Sequence, residues 1–234
     1  MTSAIFIPGW AASPLIWQPL ANALGDVLAS EIIPWQDAVF GEPRPLHARL
    51  AAASAPMILG GWSLGTLAAL EAALAHPGKV KALILVSPTA RLPADRDYPG
   101  SDPRACRAMR AKLQNNPEQL LRDFATLSFY PREAARFCDA FVVSGMMQDR
   151  GDLQKGLDYL NTTDLRARLG EISLPVMLLH GSDDRIVPAG SAQYLRDHLR
   201  QARLAEIPGA GHTVLASHAA ELATEIRHFL NTLD

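Results

Sequence analysis

Residues 56–71, PMILGGWSLGTLAALE, restrict this chain more than any other stretch. Residues 57–60 are a short apolar run, Gly61, Ser63 and Gly65 form G-x-S-x-G, and residues 66–75 are rich in Ala and Leu, with strong helix propensity. The reading is strand, turn, helix. A side chain at either flanking glycine would collide with the neighbouring strand or helix, so the glycines let the serine be held at a strained corner with its hydroxyl projecting. The helix start behind it offers unpaired N–H groups to developing negative charge. The alternative is that the glycines only make a turn and Ser63 only caps the helix. The strand-turn-helix setting favours a nucleophile.

The same alternation runs through both ends of the chain. Residues 4–7 read as a strand opening on Pro8-Gly9-Trp10, with a helix from about Ser13. Residues 27–33 form a second strand, 45–54 a short helix and 81–87 a buried strand after the His76-Pro77-Gly78 stop. Residues 175–180, 189–201, 202–207 and 217–233 continue as strand, helix, strand and helix. This predicts an α/β fold with a mostly parallel sheet of about six strands, covered on both faces. From 88 to 173 the pattern is helical, broken by Pro and Gly, and reads as a lid inserted into one sheet domain. The expected division is a core of residues 1–88 and 174–234 and a lid of residues 89–173.

Composition bounds what such a fold can be used for. A chain of 234 residues with 48% hydrophobic content can bury a large core, and a net charge of -2 gives no general attraction to nucleic acid or anionic membrane. Two cysteines, Cys106 and Cys138, suit packing rather than a disulfide scaffold or a metal site. The N-terminal stretch is apolar but lacks a basic leader and is interrupted by Pro8-Gly9 and Pro14, so neither a signal peptide nor a membrane span is expected. The expectation is a cytoplasmic enzyme with no metal, no cofactor and no nucleic-acid or membrane partner. The glycines around Ser63 lack both the P-loop lysine and dinucleotide spacing.

A serine nucleophile needs a base, and the base a carboxylate, both on loops after later strands. HGSDDRIVP follows the strand ending at His180 and carries Asp183 and Asp184; PGAGHTVL follows the next strand and carries His212. Among the seven histidines His212 alone lies in a Gly-rich loop just beyond a strand. His180 at its strand end reads as structural. Asp184 is preferred as the acid because DRIVP runs from it into the next helix, with Asp183 a turn or capping residue. The N–H groups of Leu64 and Trp10 are the expected oxyanion donors. The Trp10 and Trp62 side chains are candidates either for pocket walls or for core packing.

At these residues the chain resembles the α/β-hydrolases, and more closely the pimeloyl-[acyl-carrier protein] methyl ester esterases of biotin biosynthesis. The resemblance is carried by PGW with Trp17, GWSLG, HPGKVKALILV, RDYPG, GLDYLNTTDLRARLGEISLP, GSDDRIVP and GAGH. It implies that Ser63, Asp184 and His212 cleave the methyl ester of a pimeloyl chain borne by acyl-carrier protein, releasing methanol. It also implies that lid arginines, here Arg122, Arg132 and Arg136, receive the acidic carrier, against the alternative of a solvated helix face. Phe124 is a candidate wall for the acyl chain, against ordinary lid packing. Two departures stand out. The extra strands usual before the first one are not expected, since only residues 1–3 precede it, and another basic position of the docking patch is replaced by polar or acidic residues at Glu118 and Gln119. Competing functions are hydrolysis of another small ester, a lyase-type relative, or a binding protein that keeps the fold without chemistry.

Overall fold

The computed structural model describes residues 1–131 and 135–233. Strands and helices alternate as the apolar runs demand: β1 (Thr2–Ile7), a 3-10 turn (Pro14–Trp17) leading into α1 (Gln18–Ala23), β2 (Leu28–Ile32), α2 (Trp35–Val39), α3 (Pro45–Ala52), β3 (Met57–Trp62), α4 (Leu64–Ala75) and β4 (Val80–Val86). Between β4 and the next strand lie α5 (Pro103–Asn115), α6 (Pro117–Phe129), α7 (Ala135–Met146) and α8 (Arg150–Thr162). The sheet then resumes with β5 (Val176–Gly181), α9 (Ala189–His198) and β6 (Ala202–Ile207), followed by α10 (Val214–Ser217) and α11 (Ala219–Leu230).

All six strands pair in parallel in the order β2-β1-β3-β4-β5-β6. Parallel sheets need cover on both faces, so β4 and β5 are apolar except for Lys81 and His180 and are buried almost throughout. Neighbouring glycines of β3 show the two faces. A β-carbon on Gly60 would meet the Phe6 ring at 2.3 Å, and Phe6 stacks on Trp17 ahead of α1 with ring centroids 4.6 Å apart. Gly61 points the other way, toward α4, where a β-carbon would lie 2.3 Å from the Gly65 carbonyl oxygen. The chain lays β2 on one side of β1 and then β3 on the other. The loops leaving β1 and β3 therefore part at a switch point, and ligands of open parallel sheets bind in the crevice this creates.

Helices α5, α6 and α8 begin where their caps dictate. Asp102 accepts from the Arg104 N–H ahead of Pro103, Asn116 from Gln119 ahead of Pro117, and Asp149 from Asp152. They are tied to the β1 loop: the Trp10 indole donates to the Leu153 carbonyl at 2.8 Å, and the Gln148 amide to the Ala11 carbonyl at 2.8 Å. No helix among the described residues is long and apolar enough to cross a membrane.

Three local features differ from the sequence expectation. Helix α2 was not expected, because five residues carry too little periodicity; its buried Trp35, Ala38 and Val39 hold it against the core. The segment after Ser13 opens as a 3-10 turn rather than an α-helix. The last helix starts only after His218, whose φ of -131° and ψ of 37° are not helical, and ends at Leu230, with the short α10 ahead of it.

Candidate active site

Ser63 stands between β3 and α4 with φ 54° and ψ -117°, a left-handed backbone that a non-glycine residue adopts at a cost of about 1–3 kcal/mol. The turn can be this tight only because its flanks are bare. A β-carbon on Gly65 would lie 2.3 Å from the Ile7 carbonyl oxygen. The serine hydroxyl makes no capping bond to α4 and lines a cavity instead. A serine present merely as an N-cap would have bonded a helix N–H. The Leu64 N–H, first of the helix, has no carbonyl partner within it. The β1 loop closes over this corner, since a β-carbon on Gly9 would be 3.0 Å from that of Ser63. Trp10 is the next residue, so the two expected N–H donors belong to segments in contact.

The carboxylate and imidazole come together from the β5 and β6 loops. His212 Nδ1 donates to Asp184 Oδ2 at 2.8 Å, both side chains being fully buried. A carboxylate accepts but does not donate, so this bond places the proton on Nδ1 and leaves Nε2 as the basic nitrogen. Nε2 is buried and makes no hydrogen bond among the described residues. The other Asp184 oxygen accepts from the backbone N–H of Ile186 at 2.8 Å and of Val187 at 2.9 Å. Burial alone would push the Asp184 carboxyl up, but the charge and hydrogen bond of His212, with help from His180 and the Val187 N–H, hold it below the ordinary value. Asp184 is therefore ionised at neutral pH. Asp183 is exposed, and among the described residues its carboxylate accepts only from the Ser182 hydroxyl.

His180 is also buried near Asp184, at 3.6 Å, but its Nε2 lies 3.0 Å from the Val187 carbonyl. A carbonyl only accepts, so Nε2 carries the proton and the ring closes the loop around Asp184. Burial lowers its pKa, which keeps it neutral.

Trp62 does not line the cavity. Its indole packs on His212, with centroids 5.3 Å apart, and donates to the His212 carbonyl at 2.9 Å. Ser87 gives the same carbonyl a second donor at 2.9 Å. Sequence reading missed Ser87, although it sits where β4 reaches the ligand edge of the sheet. Its φ of 46° is left-handed for a residue with a side chain. Ser87→Ala should lower kcat for a small ester about tenfold with little change in KM, the scale of one buried hydrogen bond. Ser87→Gly, which suits the backbone but lacks the hydroxyl, should be slowed equally. A glycine variant at full rate would show that the hydroxyl does not position His212.

The cavity in front of Ser63 holds about 380 Å³ and is mostly apolar, walled by Trp10, Leu92, Cys106, Met109, Phe124 and Ile186 among others. Phe124 meets Trp10 edge to face at 5.4 Å and lies 6.4 Å from the His212 ring. Lys112, Asp123 and Arg185 also line it. Lys112 pairs with Asp123 across α5 and α6, and the Arg185 guanidinium stacks over Tyr130, 3.1 Å from its centroid. None of these three is evident from sequence, because no local motif marks them.

Of the three arginines expected to dock a carrier, Arg122 and Arg136 lie among the described residues. Arg122 pairs with Glu118 at 3.2 Å and Asp139 at 3.1 Å, which compensates its charge. Arg136 is exposed on α7 and lies over the Phe137 ring at 4.8 Å. Arg132 lies outside the described residues.

A family model described as the alpha/beta hydrolase fold matches residues 49–219. The chain belongs to the α/β-hydrolases. Relatives named pimeloyl-[acyl-carrier protein] methyl ester esterase include that of Nitrosomonas europaea, 36% identical over 162 residues covering 67% of this chain and 64% of that protein. The one from Neisseria meningitidis serogroup C is 31% identical over 234 residues, covering 96% of this chain and 91% of its own length. That of Chromobacterium violaceum is 32% identical over 231 residues, covering 97% and 82%. Two solved structures share the α/β-hydrolase fold of this chain. A hydrolase from Oleispira antarctica superposes with a TM-score of 0.90 at 14% identity, covering 99% of this chain and 91% of that one. An esterase from Exiguobacterium antarcticum superposes with a TM-score of 0.87 at 16% identity, covering 99% and 92%.

Proposed function

We propose that this α/β-hydrolase is a serine carboxylesterase that removes the methyl ester from a pimeloyl chain carried on acyl-carrier protein, a step of biotin biosynthesis in the cytoplasm. The observation that carries the chemistry is the buried Asp184–His212 pair, with a basic Nε2, whose imidazole packs on Trp62, the residue next to Ser63. The relatives' shared name supports the substrate.

In this mechanism Ser63 Oγ attacks the ester carbonyl while His212 Nε2 takes its proton. The negative oxygen that forms is met by the N–H groups of Leu64 and Trp10, and the Asp184 carboxylate steadies the imidazolium. His212 returns the proton to the departing methoxide, so methanol leaves and an acyl-Ser63 ester remains. Water repeats the sequence: His212 takes its proton, the acyl–Oγ bond breaks, and the free carboxylate and Ser63 hydroxyl are restored. The apolar cavity suits a methylene chain, with Phe124 and Trp10 as walls. Residues 89–173 act as a lid over the core, and the carrier protein is a transient partner.

Expressed in a bacterium that lacks its own pimeloyl methyl ester esterase, the protein should restore growth without biotin, and its Ser63→Ala variant should not. Failure of the wild type to do so while it is folded and hydrolyses short esters would assign it to another ester.

A further inference from the structure

We infer that the carboxyl end of α6 seats the base of the reaction: the backbone carbonyls of Ser128 and Tyr130 hold the loop that carries His212, and Thr213 and Gly211 are the positioning residues that receive them. This rests on His212 being the base, as proposed above, and adds to that reading how the base is held in place. The last four carbonyls of a helix have no partner within it. At α6, which ends at Phe129, one of them is satisfied by the histidine loop. The Ser128 carbonyl accepts twice from Thr213, from its backbone N–H at 3.1 Å and from its hydroxyl at 3.1 Å. Ser128, His212 and Thr213 are all buried, so water does not compete for either bond.

Two glycines of this loop serve different needs. Gly209 has a left-handed φ of 68°, and a β-carbon there would meet nothing within 4 Å. It is glycine for its backbone. Gly211 has no such φ, yet a β-carbon there would lie 1.7 Å from the Tyr130 carbonyl oxygen. It is glycine for the contact alone. A carbon and a carbonyl oxygen ordinarily approach to about 3.3 Å, so alanine at Gly211 would drive the loop and the end of α6 apart by roughly 1.5 Å. The loop is also hemmed in by the sheet, since a β-carbon on Gly181 of β5 would lie 2.3 Å from the Ala210 carbonyl oxygen.

His212 is thereby fixed through both of its sequence neighbours, while Asp184 fixes its ring and Trp62 and Ser87 its carbonyl. Helix α6 also supplies Phe124, which walls the cavity and lies 6.4 Å from the His212 ring. One helix thus sets both the acyl wall and the base. Arg185, the residue after Asp184, ties the same helix end to the third catalytic loop, its guanidinium 3.1 Å from the Tyr130 ring centroid. Such seating matters because a base must keep its nitrogen within hydrogen-bond reach of the hydroxyl it deprotonates, and a displacement of about 1 Å costs about 10²-fold in rate.

The test measures hydrolysis of p-nitrophenyl butyrate by Gly211→Ala, Thr213→Val and Thr213→Ser. Gly211→Ala should lower kcat about 10²-fold. In a His212→Ala background, where the base is already gone, the same change should cost less than about twofold more, whereas a purely structural role would repeat the full loss there. Thr213→Val keeps the shape and the N–H but not the hydroxyl; it should lower kcat about fivefold with KM within about twofold, and Thr213→Ser, which keeps the hydroxyl, should run at close to the wild-type rate. A folded Gly211→Ala at full rate, or additive losses in the double variant, would overturn the seating role and leave His212 as the base. Should Gly211→Ala not fold, the Thr213 pair decides: Thr213→Val at the wild-type rate, or Thr213→Ser as slow as Thr213→Val, would overturn it. Near-full activity in a folded His212→Ala would overturn the base assignment and this inference with it.

Discussion

Ser63→Ala should abolish ester hydrolysis, lowering turnover by at least about 10³-fold, while the protein stays folded. The hydroxyl is the attacking atom in the proposed mechanism, and the other serine of the cavity wall, Ser101, donates its hydroxyl to the Ile186 carbonyl. Cys106 lines the same cavity, but burial pushes its thiol up, away from the reactive thiolate. The fold should survive because Ser63 Oγ makes no hydrogen bond among the described residues, and alanine has the same β-carbon in the same strained turn. The melting temperature should therefore be close to that of wild type. A fluorophosphonate should label wild-type Ser63 and leave the variant unlabelled. A folded alanine variant with near-full activity would remove Ser63 from the mechanism.

Asp184→Asn should be almost as damaging, with kcat down by about 10³- to 10⁴-fold, whereas Asp183→Asn should stay within about twofold of wild type. The two carboxylates are adjacent in sequence and opposite in circumstance. In Asp184→Asn the amide oxygen can still accept from the Ile186 and Val187 N–H groups, so the loop keeps its shape. The amide nitrogen then faces His212 Nδ1, and two donors cannot share a hydrogen bond. The imidazole resolves the conflict by moving its proton to Nε2, which destroys the base that Ser63 needs. Loss of the negative charge also removes the stabilisation of the imidazolium. Asp183 is exposed, and among the described residues its carboxylate accepts only from the Ser182 hydroxyl, so its charge touches none of this. Steady-state rates for both variants on one small ester decide the matter; a damaging Asp183→Asn would mean the acid is the other residue.

The fold is legible in the sequence wherever a local pattern and a tertiary need coincide. Buried parallel strands require apolar runs, and residues 57–60, 82–86 and 176–179 supply them, so the alternation of strands and helices is legible along the chain. The serine corner is legible for the same reason: G-x-S-x-G encodes close approach of backbone to backbone, which only glycine allows. The loops with Asp184 and His212 are found by their place after strands, and the structure brings those two side chains within 2.8 Å. What is not legible is contact between distant segments. Ser87 looks like the end of a strand, and only the arrival of the β6 loop gives its hydroxyl a carbonyl to hold. Trp62 lies beside the serine in sequence, yet its indole is turned to His212 rather than to the cavity. Arginines alone cannot be ranked as docking residues by sequence either, because compensation depends on where Glu118 and Asp139 fall in space.

Mass spectrometry of methyl pimeloyl-carrier protein incubated with the purified enzyme tests the central claim most directly, because carrier, thioester and methyl ester are read in one spectrum. The carrier should lose the mass of one methylene as its ester becomes the acid, with methanol released in equal amount and the thioester intact, and Ser63→Ala should leave it unchanged. Recovery of the intact methyl ester, or cleavage at the thioester instead, with an enzyme that turns over short esters, would contradict the assignment.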